Sequence, residues 1–120
     1  MRAMGGRRIV ELVLATGILL AACGGSEVNC PNVSQTCPSP QPSFASDVRP
    51  IINARCVTCH SPGGQEAVRD YTTYAGVFAQ RQPMLTQVYS CRMPPAGNPQ
   101  PTAQERQTLI SWLVCGAPNN

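Results

Sequence analysis

Five consecutive residues constrain this chain more than any others: Cys56-Val57-Thr58-Cys59-His60. Two thiols three positions apart can each add across a vinyl group of a porphyrin, giving two thioether bonds, and the adjacent imidazole then sits where it can ligate the iron. His60 is the sole histidine of the chain. The same C-x-x-C spacing also serves redox dithiols and halves of zinc sites. No βαβ pattern accompanies it here, no second C-x-x-C or histidine pair completes a tetrahedral set, and a redox dithiol has no need of the neighbouring histidine. The stretch therefore predicts covalent attachment of one haem c through Cys56 and Cys59, with His60 as the proximal ligand.

The chain has 120 residues, which bounds it to one small domain. Arg2, Arg7 and Arg8 precede an apolar run from Leu12 to Ala22. That run is too short for a permanent membrane span and reads as a signal peptide over residues 1–22. It ends in Leu20-Ala21-Ala22-Cys23, which resembles the lipobox of bacterial lipoproteins. The resemblance implies cleavage before Cys23, lipidation of that cysteine and attachment to a membrane. Gly24 is not an acidic retention residue, which by the same resemblance points to the outer rather than the inner membrane. Residues 23–43 are rich in Gly, Ser, Gln and Pro and read as a flexible tether.

From Cys23 onward, six arginines face five carboxylates, so most of the formal +3 belongs to the leader. No basic stripe remains for nucleic acid. Lysine is absent altogether, which excludes a lysine ring that steers partners.

Seven cysteines are present. With Cys23 assigned to lipid and Cys56 and Cys59 to haem, Cys30, Cys37, Cys91 and Cys115 remain, an even set for an oxidising compartment. Four cysteines allow three connectivities. The most local is Cys30–Cys37 with Cys91–Cys115, the second of which would contribute roughly 3 kcal/mol in the chain-entropy model.

The domain is expected over residues 44–117, and its pattern is helical throughout, with no strand signal. Phe44, Val48, Ile51, Ile52 and Cys56 share one helical face, with Pro50 either kinking that helix or opening its regular part. Ser61-Pro62-Gly63-Gly64 stops regular structure just after His60. Thr72 or Thr73 can cap a short helix running to about Arg81 with Tyr74, Val77 and Phe78 on its apolar side, and Pro83 suits the first turn of another reaching Tyr89. Thr102-Ala103-Gln104-Glu105 is a capping box for a last helix with Leu109, Ile110, Trp112 and Leu113 on its apolar side, and Gly116 is its stop.

One histidine rules out bis-histidine ligation. Met84 and Met93 are the candidates for the sixth position. Met84 falls within a helix beside Leu85, where a core or surface role is expected rather than ligation. Met93 opens Met93-Pro94-Pro95, and a proline-fixed loop can hold a thioether with little loss of entropy; such a soft ligand favours Fe(II).

Taken in order, Phe44, Pro50-Ile51-Ile52, Cys56-Val57-Thr58-Cys59-His60, Met93-Pro94-Pro95 and the helix bearing Leu109 and Trp112 resemble class I cytochromes c, above all the small cytochrome domains of bacterial exported lipoproteins. The resemblance covers about Phe44 to Ala117. It implies a small all-α fold with three principal helices around one haem, His60 proximal and Met93 distal. The chain departs from that pattern in the short stretch between the two ligands and in the cysteines at 91 and 115. Arg55, Arg69 and Arg92 are candidates to meet the haem propionates. The expected role is an electron carrier of the periplasm, not an enzyme, tethered by lipid and passing single electrons to another periplasmic redox protein, with no small-molecule substrate. The alternatives are a haem enzyme or gas-binding sensor with a displaceable Met93, and a structural lipoprotein that uses its haem domain as a folded module.

Overall fold

A computed structural model describes residues 29–120. The expected signal peptide, the lipidation site Cys23 and the start of the tether lie outside the described residues. The described chain is all-α, with no strand among those residues and no helix long and apolar enough to cross a membrane.

A π-helical turn, Phe44–Val48, leads directly into α1, Arg49–Arg55. Ser43 starts it, its Oγ accepting from the Ser46 N–H at 3.3 Å. Pro50 explains the wider turn: its ring excludes the carbonyl four residues earlier, and the N–H groups of Val48 and Arg49 reach back five residues instead, to Ser43 and Phe44. Pro50 thus opens the regular helix rather than kinking it. Phe44, Val48, Ile51 and Ile52 are all buried, as their spacing predicts.

The Thr73 hydroxyl caps α2, Tyr74–Ala79, by accepting from the Gly76 N–H at 3.1 Å. A break at Gln80 separates it from α3, Arg81–Tyr89, which carries Pro83 in its first turn. The last helix, α4 (Ala103–Val114), has the full capping box: Thr102 Oγ1 accepts from the Glu105 N–H, and Glu105 accepts from the Thr102 N–H at 2.7 Å.

Both α3 and α4 end in Schellman motifs. At the end of α4 the Gly116 N–H donates to Leu113 and the Ala117 N–H to Trp112, with Gly116 at φ 91°. At the end of α3 the Cys91 N–H donates to Val88 and the Arg92 N–H to Gln87. There the left-handed position, φ 56°, is held by Cys91, where a side chain costs roughly 1–2 kcal/mol.

The core forms where the π-turn, α2 and α4 meet. Phe44 lies edge-on to Tyr74, with centroids 4.9 Å apart, and tilted against Trp112 at 5.4 Å. Trp112 is fully buried and its Nε1–H donates to the Pro118 carbonyl at 2.9 Å. Ile52, Val77, Leu109 and Ile110 fill the rest. Each fully buried side chain of this size contributes about 1.5–3 kcal/mol. α3 packs along α4 from the other side.

Two expectations need correction. The local disulfide pairing does not form: Cys30 pairs with Cys91 and Cys37 with Cys115, with Cα–Cα distances of 5.7 and 4.9 Å. Residues 30 to 38 contain no turn, and an extended run of that length separates its ends by up to about 23 Å, whereas a disulfide needs Cα atoms within about 7 Å. Cys91 lies where α3 ends, beside Arg106 near the start of α4, while Cys115 is at the other end of α4, some 13 Å along its axis at ~1.5 Å per residue.

The second correction concerns the tether. Residues 29–43 have almost no regular structure, yet they are a fastened strap along α4. The Ser34 N–H donates to Gln107 Oε1, and Gln107 Nε2 donates back to the Ser34 carbonyl, both at 2.8 Å. The Arg106 guanidinium donates to the Pro31 carbonyl, and Val33 packs against the core. The folded unit therefore begins well before Phe44.

Candidate functional site

The first wall of the site grows out of α1. The Cys56 N–H closes that helix on Ile52 at 2.9 Å, and the chain then makes one further turn in which the Cys59 and His60 N–H groups both return to the Cys56 carbonyl, at 3.2 and 3.0 Å. This turn sets Cys56, Cys59 and His60 along one side. The loop that follows locks it. The Cys59 carbonyl accepts from the Glu66 N–H at 3.0 Å, and the His60 carbonyl accepts from the Tyr71 N–H at 2.8 Å. Gly64 passes so close to the Cys59 carbonyl that a Cβ there would collide with its oxygen, so only glycine fits.

Cys56, Thr58, Cys59 and His60 line a largely apolar cavity of about 310 Å³, at the lower end of the range for small-molecule and cofactor sites. Ala54 and Arg55 from α1, and Pro83, Met84, Gln87 and Val88 from α3, extend the wall. Leu109 of α4 contributes to it, and the loop after α3 brings Met93, Pro94, Pro95 and Pro101. The residues singled out in the sequence for haem attachment and for both axial positions thus share one cavity. Met84 shares it too. Met84 is 6% exposed and belongs to the core, whereas Met93 is 37% exposed.

Cys56 and Cys59 carry free thiols, although the other four described cysteines are paired. Burial pushes the Cys56 thiol up to about 11, with the neighbouring Arg55 opposing and Cys59 adding to the rise. Such a thiol stays protonated at neutral pH, the reverse of the depressed pKa that activates a redox dithiol. Burial also lowers the His60 pKa, against the opposing pull of the Arg69 and Glu66 carbonyls near the ring and of the Glu66 carboxylate. The imidazole is therefore neutral at pH 7 and keeps a lone pair to donate. Among the described residues its buried Nδ1 has no partner within hydrogen-bond distance, although the Arg69 and Glu66 carbonyls lie near the ring. The ring stacks on Tyr71, centroids 4.4 Å apart and planes at 20°.

Tyr71 is a site residue that sequence reading missed. It stands alone between Asp70 and Thr72, outside any periodic pattern, and nothing local marks it as buried. Gln87 and Val88 were missed for a different reason: their helix was expected, but not which side of it faces the site. Of the three arginines considered for propionates, Arg55 and Arg69 line the cavity and Arg92 is not among its lining residues. Arg55 already holds Glu105 through two hydrogen bonds, at 3.2 and 3.1 Å, and Arg69 pairs with Glu66.

Among the described residues, no three of His, Cys, Asp and Glu come together as a metal-holding group. No protein-family profile, curated protein or solved structure matches the chain.

Proposed function

We propose that this cavity holds one haem c, joined to Cys56 and Cys59 and ligated by His60 and Met93, and that the protein is a one-electron carrier. The observation that carries this reading is the convergence of two free thiols, an imidazole and a partly exposed thioether on one largely apolar cavity. In this reading α1, α3 and α4 are the principal helices around the group.

Bound there, the haem supplies the electron-accepting centre. The residues of the chain do the rest. Cys56 and Cys59 fix the group to the end of α1. His60, held neutral and backed by Tyr71, offers a nitrogen without first losing a proton. The apolar wall excludes water, and Met93 on its proline-rich loop offers a soft ligand. A rigid pair of ligands limits rearrangement on electron transfer, which suits a carrier. The setting proposed with it is the cell envelope, with a lipid anchor at Cys23, preferably in the outer membrane, and a periplasmic redox protein as partner.

The test is an absorption spectrum of protein made with a working cytochrome c maturation system, oxidised and reduced, with and without CO, after denaturation to check that the haem is covalent. A low-spin c-type spectrum with a Met–Fe(III) charge-transfer band and no change with CO is expected. Ready CO binding would move the assignment to a haem enzyme or gas sensor, and absence of covalent haem would end it.

A further inference from the structure

We infer that the Cys30–Cys91 disulfide is the positioning device for Met93, a role that rests on the axial ligation proposed above. Met93 is two residues beyond Cys91, and the intervening chain is short and directed. The Arg92 and Met93 N–H groups both donate to the Gln87 carbonyl, at 2.9 and 3.2 Å. The end of α3 therefore runs without slack into the residue that lines the cavity.

Two features show that this end is held from outside. Cys91 takes the left-handed position at φ 56° that Gly116 fills at the end of α4. A helix stop alone is served better by glycine, so the side chain at 91 is there for its bond to Cys30. The second feature is Arg106, buried and, among the described residues, without a carboxylate partner, whose guanidinium gathers the carbonyls of Val88, Tyr89 and Pro31. It ties the last turn of α3 to the strap one residue away from Cys30. Bridge and arginine together clamp the root of the Met93 loop. The other bridge, Cys37–Cys115, fastens the same strap at the far end of α4 and leaves this root untouched.

That separation gives a controlled experiment on the full chain. The variant C30S/C91G removes the bridge and gives the helix end its best residue; C37S/C115S removes the distant bridge. Amide exchange at Arg92 and Met93, together with the Met–Fe(III) band and CO binding, are compared with wild type. In C30S/C91G, exchange at both amides should rise at least tenfold, the band should weaken and the reduced protein should take up CO. C37S/C115S should unfold more easily but keep the band and exchange these amides within about twofold of wild type. Unchanged exchange and an intact band in C30S/C91G would overturn the inference, as would equal loss of the band in both variants. If the protein carries no covalent haem, the functional reading fails, and the exchange rates alone decide whether the bridge holds Met93.

Discussion

Met84 and Met93 line the same cavity, and their surroundings assign them different work. Met84 is spent on packing, while Met93 keeps part of its surface open. On the ligation proposed above, Met93→Ala should lower the reduction potential and open the iron to CO, with a small effect on stability. Met84→Ala should leave ligation alone and cost about 2–5 kcal/mol by leaving a cavity in the core. Redox titration and urea unfolding of the two variants separate these outcomes. At this scale the sequence was legible wherever chemistry and spacing coincide. Cys56, Cys59 and His60 stand out because five adjacent residues carry the motif, and Met93 because the prolines beside it exclude a helix; the structure places all four on one cavity. Tyr71 did not, because its burial depends on a loop folding back over His60. Gly64 was read as a turn residue, but its closeness to the Cys59 carbonyl was not visible, since that contact is made in space.

At the scale of the element, α4 was the most readable because both of its ends are written locally, by Thr102 and Glu105 at one and Gly116 at the other. Glu105 does more than cap. It accepts from the Thr102 N–H and binds Arg55, a residue of the cavity wall. Partial burial raises its pKa, but the hydrogen bonds from Thr102 and Arg55 and the Arg55 charge outweigh that and hold it below its ordinary value of 4.5. A carboxylate depressed in the folded state stabilises above its ordinary pKa, and that contribution is lost as pH falls through the lower folded value. Glu105→Gln should therefore flatten the acid limb of stability against pH below about 4.5. Urea midpoints measured from neutral pH down to pH 3 check this; an unchanged slope would remove Glu105 as its source. The boundary between α2 and α3 was also legible, because Thr73 and Pro83 mark separate beginnings. The π-helical turn before α1 was not: Pro50 announces a disturbance but not whether the helix bends or widens.

At the scale of the molecule, the strap and its bridges decide the shape of the fold, and they were the least legible part. Composition marks residues 29–43 as loop, but only α4 shows them where to lie. Closing loops of 61 and 78 residues, each bridge is worth about 4 kcal/mol in the chain-entropy model, less where the two loops share chain. Reduction with dithiothreitol should thus move the urea midpoint far down, and a change below 1 kcal/mol would show the strap to be incidental. The two bridges also interleave along the chain, since Cys37 lies inside the first loop and Cys115 outside it. Neither native pair joins sequence neighbours, and the free thiols Cys56 and Cys59 lie inside both loops. An oxidant that met this chain before it folded would close the shortest loops first, Cys30–Cys37 and Cys56–Cys59, and so would spoil the strap and join the two thiols that the folded protein leaves free. Native pairing is therefore tied to folding: Cys30, Cys37, Cys91 and Cys115 find their partners if folding precedes oxidation, or if a disulfide isomerase then reshuffles the early bridges.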